Sequence, residues 1–513
     1  MIELYLVGWS AITIEAFLLM IGGVLVGILI GAMPGLTVMM AVAILIPITF
    51  SLDPVSGILM LIGVYAGGNY GGSITATLIN IPGTPSAVMT TMDAYPMAKK
   101  GNAGLAVGIA TMVSVMGGLI STVILVLLSP IVAGIALRFT SLEMMAIAFF
   151  GLSIMAYITP GSSIKGLIAG LVGLIIVVIG MDPMTAASRF TFGRVELISG
   201  VQFVPAMIGL FGLSEVLIAM ENRNKPETEK VEFFEVKKPF AAFAYLKRLG
   251  TTIMRSSLIG TLIGIIPGAG GTIASIVAYA QEKKLNKNRA EFGKGAPEGI
   301  AASEAANNAC VGGAMLTMLS IGIPGDGVTA IMIGAFIVHG LTPGPMLFQT
   351  NMEIVSAIFI GLVIVNILII FLGSFGAKYF AKVMLVPKPV LNTMILLLCV
   401  VGAFALQNSM FDVRTMILFA ALGWFFSKIS FPKAPIVLAM VLGGILETNF
   451  RRWLNLADGE IGGTLVSTWV QNPISLIIFL ITIATLVLPL FQKSGKITEA
   501  SGSRFGAEET EEE

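Results

Sequence analysis

Four Pro-Gly pairs, Pro34-Gly35, Pro82-Gly83, Pro267-Gly268 and Pro324-Gly325, interrupt long apolar runs. Proline inside a helix removes a backbone hydrogen bond and clashes with the carbonyl four residues back; in lipid, no water replaces the lost partner. A helix broken this way exposes unpaired N–H groups at the start of its second half, and with the helix dipole these make an anion site that needs no basic side chain. The residues after the breaks suit that chemistry. Thr84 and Asp326 hold matching cap positions, Pro85 suits a first helical turn, and Thr272 can cap the helix after PGAGG. Glycines let backbone approach a ligand. The candidate anion-binding set is Gly35, Gly71, Gly72, Ser73, Pro82, Gly83, Thr84, Gly268, Gly270, Thr272, Pro324 and Gly325. Any one pair alone reads as a kink, common in membrane helices. Four, duplicated in order and followed by capping residues, argue for a substrate site near mid-membrane.

Glu304, Asn307 and Asn308 are spaced i, i+3, i+4 and share one helix face. An acid beside two amides can ligate a hard cation such as Na⁺ through oxygen or carry a proton; a packing network between helices is the equal alternative. Asp326, an acid at a cap, would repel an anion unless a cation sits between them, so it joins the cation side. Glu15, Glu143, Glu196, Glu215 and Glu353 fall toward segment ends and take no role. His339, the single histidine, precedes GLTPGP in a loop and reads as a structural hydrogen-bonding group. Cys310 and Cys399 sit in apolar segments and give no disulfide or metal framework. Trp9, Trp424, Trp453 and Trp469 suit anchoring at membrane interfaces.

These residues need membrane helices to hold them. The chain has 513 residues, 56% hydrophobic and 12% charged, about half the charge of a soluble protein. Apolar stretches fall near 11–33, 36–50, 55–81, 84–95, 103–129, 141–158, 163–181 and 199–220, and again near 251–280, 299–322, 327–340, 353–376, 389–406, 413–429, 434–449 and 473–491. The expected fold is an all-α polytopic membrane protein of roughly 10–12 transmembrane segments; 36–50 and 327–340 are short and suit re-entrant elements. The alternation of a β-barrel is absent. A net charge of +1 argues against nucleic acid and a polybasic lipid surface. The first apolar stretch is too long for a signal peptide and has no basic region before it.

The two halves are related. GAMPG (31–35) resembles GIIPG (264–268), and a shift of 242 positions pairs Gly71 with Gly313, Thr75 with Thr317 and Ile81-Pro82-Gly83 with Ile323-Pro324-Gly325. Repeats with interrupted segments at matching places mark secondary transporters. The chain divides into a first membrane repeat (1–220), a cytoplasmic linker (221–249), a second repeat (250–492) and an acidic cytoplasmic tail (493–513). No Lys or Arg precedes Lys99 and none falls between Lys294 and Lys378, whereas Lys247, Arg248, Lys283, Lys284, Lys287 and Arg289 flank the second broken segment. Basic loops stay in the cytoplasm. The repeats therefore read as inverted, 250–280 entering from the cytoplasm, turning at PGAGG and returning.

At these residues a family becomes visible. GAMPGLT, YGGSITATLINIPGTPSAV, DAYPMAKKG, GAPEGIAASEAANNA, GIPGDGVTA, HGLTPGP and LETNFRRWL together resemble the large transmembrane subunit of the bacterial tripartite tricarboxylate transporters, across nearly the whole chain except 221–248 and the tail. Ala94 stands where glycine is expected before the Tyr-Pro pair, and Thr317 where proline is frequent. The resemblance implies a cation-driven importer of carboxylates in the inner membrane, usually Na⁺-linked. It also implies two partners, a small four-helix membrane subunit and a periplasmic solute-binding protein. The residues themselves agree on an anionic substrate and allow ion coupling; no GxxxxGK[ST] or HExxH motif points to an ATPase or an intramembrane enzyme. The alternatives are an anion channel and a carboxylate transporter that needs no binding protein. The charge asymmetry has a direct test. A cysteine replacing Thr342 reacts with an impermeant thiol reagent in whole cells, and one replacing Lys230 or Asn286 does not; labelling at Asn286 but not at Thr342 would overturn the inverted topology.

Overall fold

A computed structural model describes residues 2–158, 163–221, 234, 236–380, 382, 387–457, 461–471 and 473–491. Most of the 221–249 linker, Lys230 included, and the 493–513 tail lie outside the described residues. The first half contains α1 (Ile2–Ala11), α2 (Ile14–Gly31), α3 (Val38–Thr49), α4 (Pro54–Ile79), α5 (Val88–Met97), α6 (Ala103–Ala136), α7 (Ser141–Ile158) and α8 (Ser163–Val177). A small antiparallel hairpin comes next, β1 (Gly180–Met181) and β2 (Ser188–Arg189), and then α9 (Phe203–Met207) and α10 (Ser214–Glu221), continuous through a π-turn at Ile208–Leu213. The second half contains α11 (Phe243–Ile265), α12 (Gly270–Leu285), α13 (Pro297–Ile321), α14 (Gly327–Val338), α15 (Leu347–Thr350), α16 (Met352–Phe380), α17 (Lys388–Ala405), α18 (Met410–Lys428), α19 (Ala434–Ala457), α20 (Ile461–Gln471) and α21 (Pro473–Phe491).

The protein is an all-α polytopic membrane protein. Six helical stretches among the described residues are long and apolar enough to cross a bilayer. Two further long helices, α4 and α13, are buried along almost their whole length, from Ser56 to Leu78 and from Gly299 to Ser320. They are rich in Gly, Ala, Ser and Thr rather than leucine because other helices, not lipid, surround them.

The repeat is a packing repeat. A side chain on Gly27 or Gly31 would strike the α4 backbone at Val64 or Gly68, and one on Gly71 the α2 backbone at Ile28. In the second half, Gly260 and Gly264 meet the α13 backbone at Ala306 and Cys310, and Gly313 meets α11 at Thr261. Shifting α2 by 233 positions and α4 by 242 converts each of these three contacts of the first seam into one of the second. Both inner helices also end alike, on a left-handed residue, Asn80 (φ 59°) or Gly322 (φ 83°), followed by Ile-Pro-Gly. Asn and Gly are the residues that reach that conformation most cheaply.

Beyond this seam the halves interlock. α6 packs on α11 and α13 of the other half, and α16 packs on α2 and α4. The flanks repeat the exchange: α19 joins α7 and α8, while α9 and α10 join α17 and α18. α3 lies against α14, and α12 against Pro85–Ala87 and α5.

Several boundaries differ from the sequence reading. The 11–33 stretch divides at Thr13, whose hydroxyl caps α2 by accepting from Ala16 N at 3.1 Å. The 163–181 stretch ends early, and its tail becomes the hairpin. Glu447 and Arg451 of LETNFRRWL bind that hairpin: Arg189 pairs with Glu447, and Arg451 reaches Asp182 at 2.8 Å and Glu447 at 3.2 Å. Backbone N–H groups of Thr185 and Met184 hold the Asp182 carboxyl below its ordinary range. Trp453 is buried beside Leu142 and Met145 rather than at an interface. Glu215 lies within the α9–α10 helix, paired with Lys433 at 2.8 Å.

The seams generate a matched test. Gly31→Leu and Gly264→Leu each force α2 or α11 off its partner, an overpacking cost of about 1–3 kcal/mol or more, and lower the melting temperature of the purified protein. Gly22→Leu, on the same helix as Gly31 with open space around it, leaves it unchanged.

Candidate functional site

Three of the four breaks converge. Gly83 tucks between the end of α2 and the face of α4: its N–H donates to the Gly72 carbonyl at 3.3 Å, and any side chain there would meet Gly31 O and Gly72 Cα. Gly325 repeats the arrangement against Gly264 and Ala314, and its carbonyl accepts from Gly268 N at 2.8 Å. The copies then touch across the middle. The tip of α12 approaches the first copy's break, with Gly271 beside Ser86, and Gly327 lies against the Met39 side chain of α3. Gly270 (φ 65°) faces Asp326, whose Cβ is 3.7 Å from where its own side chain would start.

Of the sequence-selected residues, Gly72, Gly83, Thr84, Gly268, Gly270, Pro324 and Gly325 gather here. Gly35 (φ 90°) forms the turn of its own break and is exposed, with open space around it. Pro82 is half-buried beside Gly83. Gly71 and Ser73 serve packing instead: Gly71 sits in the α2–α4 seam, and the Ser73 hydroxyl donates to Tyr70 O at 2.7 Å. Two cap readings change. The Thr84 hydroxyl holds the cap position but bonds the Ser86 hydroxyl at 3.0 Å instead of a backbone N–H. Thr272 lies in the first turn of α12, whose cap position belongs to Ala269. The glycines let the helix begin earlier than PGAGGT suggested. Asp326 caps α14 as expected, accepting from Thr329 N at 2.8 Å in a capping box.

The carboxylates are held by neutral groups. Glu304 is fully buried; it accepts from the Thr90 hydroxyl of α5 and from the Ser114 hydroxyl of α6 at 2.9 Å. Asn308 Nδ2 lies 3.1 Å from the Glu304 carbonyl and 3.4 Å from its carboxylate. Asn307 Nδ2 donates to Asn69 O at 3.1 Å, while its buried Oδ1 has no partner among the described residues and points to Gly271. Tyr65 donates to the second oxygen of Asp326 at 2.5 Å. Glu304, Asn307 and Asn308 thus occupy one neighbourhood, and Asp326 another across α4. His339 meets expectation as a structural group, its Nε2 3.1 Å from the Thr49 hydroxyl.

Sequence reasoning passed over Tyr65, Thr90, Ser114 and Asp93. Asp93 is buried, and one of its oxygens accepts from Gly293 N, Gly295 N and Ala296 N at 2.8–2.9 Å. The other takes the Tyr279 hydroxyl at 2.8 Å. A carboxylate here rests on backbone amides and a phenol, with no basic side chain. The signal was present in DAYPMAKKG and GAPEG, separate motifs whose contact only the fold reveals.

The sequence that builds this geometry has counterparts among known proteins. The tripartite tricarboxylate transporter TctA family matches residues 17–438. The chain belongs to that family. It is therefore a membrane subunit of a tripartite tricarboxylate transporter, of a transporter family rather than an enzyme family. An uncharacterized 52.8 kDa protein in the TAR-I ttuC′ 3′ region of Agrobacterium vitis is 34% identical over 91% of the chain and 92% of its own length. An uncharacterized protein in the TAR-II ttuC′ 3′ region of the same organism is 33% identical over 45% of the chain and 93% of its own length. No solved structure matches the chain.

Because Gly83 and Gly325 lie against backbone, Gly83→Val and Gly325→Val fail at the level of folded protein, read as loss of a monodisperse peak in detergent. Thr84→Ser keeps the hydroxyl bonded to Ser86 and retains wild-type folding and uptake.

Proposed function

We propose that this chain imports a di- or tricarboxylate across the bacterial inner membrane, driven by a gradient of Na⁺ or H⁺. In this reading it works with a small four-helix membrane subunit and a periplasmic solute-binding protein. The observation that carries the proposal is the meeting of three Pro-Gly breaks, Pro82-Gly83, Pro267-Gly268 and Pro324-Gly325, with Arg255 the one Lys or Arg before Lys99, between residues 249 and 282 or between Lys294 and Lys378. The substrate carboxylates bind the backbone N–H groups freed there. Glu304 and Asp326 take the cation side, since two buried acids next to a bound anion require a compensating positive charge.

The copies run in opposite senses across the membrane. Two contacts support this: Thr49, at the mouth of the α2–α3 hairpin, bonds His339 beyond α14, whereas Asp93 and Lys100, after the first copy's second break, bond residues 293–296 at the mouth of the α11–α12 hairpin. The lysines and arginines gather at the second mouth, the cytoplasmic side by the basic-loop rule.

The test is uptake of labelled carboxylates into proteoliposomes. Uptake by the chain alone is weak and rises when the small subunit and binding protein are supplied; Glu304→Gln keeps the protein folded but weakens dependence on the cation gradient. Full-rate saturable uptake by the single chain counts against the tripartite mechanism, and unchanged cation dependence in Glu304→Gln returns that residue to packing.

A further inference from the structure

A small cavity of about 10 Å³ lies where the exchanged helices α4, α6, α13 and α16 meet. It has room for a single water-sized particle. Its polar lining comes from Ser121 and Thr122 of α6, Asn308 of α13 and Asn366 of α16; Gly118 and Ala66 leave the space open. Ala66 and Asn308 are the same position of the two copies, 242 residues apart.

The chemistry of that lining is one-sided. Ser121 and Thr122 both give their hydroxyl hydrogens to Gly118 O, at 2.9 and 2.7 Å. Each amide likewise turns an N–H back to its own helix: Asn308 to Glu304 O at 3.1 Å, and Asn366 to Leu362 O at 2.8 Å. Apart from the second amide hydrogen of Asn366, the remaining polar groups are oxygen lone pairs, and no hydrogen bond to Asn308 Oδ1 or Asn366 Oδ1 is found among the described residues. A water molecule has two hydrogens to offer and needs donors for its own lone pairs. A hard cation needs only oxygens. Glu304 adds the charge: Asn308 touches its carboxylate at 3.4 Å, and its other carboxylate contacts are uncharged hydroxyls.

We infer that this cavity is the seat of a sodium-sized cation, bound by Asn308, Asn366, Ser121 and Thr122 and balanced by Glu304 through Asn308. The inference deepens the cation-coupled reading above by naming where the ion binds.

The test is the melting temperature of the purified chain in NaCl against choline chloride at constant ionic strength. Na⁺ raises it saturably in the wild type, and equally in Ser374→Ala, which removes a different buried hydroxyl of α16. Asn366→Leu and Thr122→Val raise the half-saturating Na⁺ concentration at least about tenfold, a change of about 1.4 kcal/mol; if Asn366→Leu does not fold, Ser121→Ala replaces it. Identical curves in Na⁺ and choline for the wild type, or an unshifted Na⁺ response in these variants, mean the cavity holds water and overturn the proposal. Uptake measured alongside separates the two readings. Cation-dependent uptake that survives loss of the Na⁺ response overturns the cavity as the coupling seat while transport stands. Uptake without cation dependence in the wild type removes the coupling, and the melting data still decide the cavity.

Discussion

Each broken helix here is held open by a neighbour close enough to touch backbone with backbone. Gly83 on Gly31 and Gly72, and Gly325 on Gly264 and Ala314, are contacts only two residues without bulk can make. In lipid a freed carbonyl or N–H finds a partner within the protein or not at all. The Gly83 N–H to Gly72 O and Gly268 N–H to Gly325 O bonds meet that demand. The seams of α2 with α4 and α11 with α13 bring the strands of the breaks to this distance, and their last glycines, Gly31 and Gly264, are themselves the contacts of Gly83 and Gly325.

Asp93 illustrates what such backbone can hold. It is a buried carboxylate seated on three amides and a tyrosine, in a chain whose membrane helices carry almost no positive side chains. Charge is met here by many small dipoles in a low-dielectric setting. The same economy runs through Glu304 and Asp326, whose partners are hydroxyls, amides and one phenol.

Much of this was legible before any coordinates. Pro-Gly pairs are strong local signals, so the breaks, the Asp326 cap and the turn between α11 and α12 at PGAGG came directly from residue type. The repeat was visible because Gly71, Thr75 and Ile-Pro-Gly recur in order. Their meaning was only half visible: Gly71 recurs because it packs on Ile28, and sequence periodicity does not distinguish a glycine that admits a helix from one that admits a ligand. Long-range partners were opaque for a related reason. Tyr65 with Asp326, and Thr90 with Glu304, join residues more than two hundred positions apart, and nothing local marks them. Trp453 was misread because tryptophan near a helix end usually anchors at an interface, whereas α7 covers this one.

The exchange of α6 and α16 between the halves reaches back to how the chain is made. α4 leaves the ribosome with one side matched to α2, but the helix that covers another of its sides, α16, begins at Met352. At the usual rate of synthesis, ~5–20 residues per second, α4 waits on the order of tens of seconds for that partner. During that interval its glycine- and serine-rich surface, poor in the leucines that lipid prefers, faces the bilayer or the insertion machinery. The first half of this protein is therefore a client awaiting its second, and a truncation between the copies leaves a nascent segment that the membrane solvates poorly and quality-control proteases find readily.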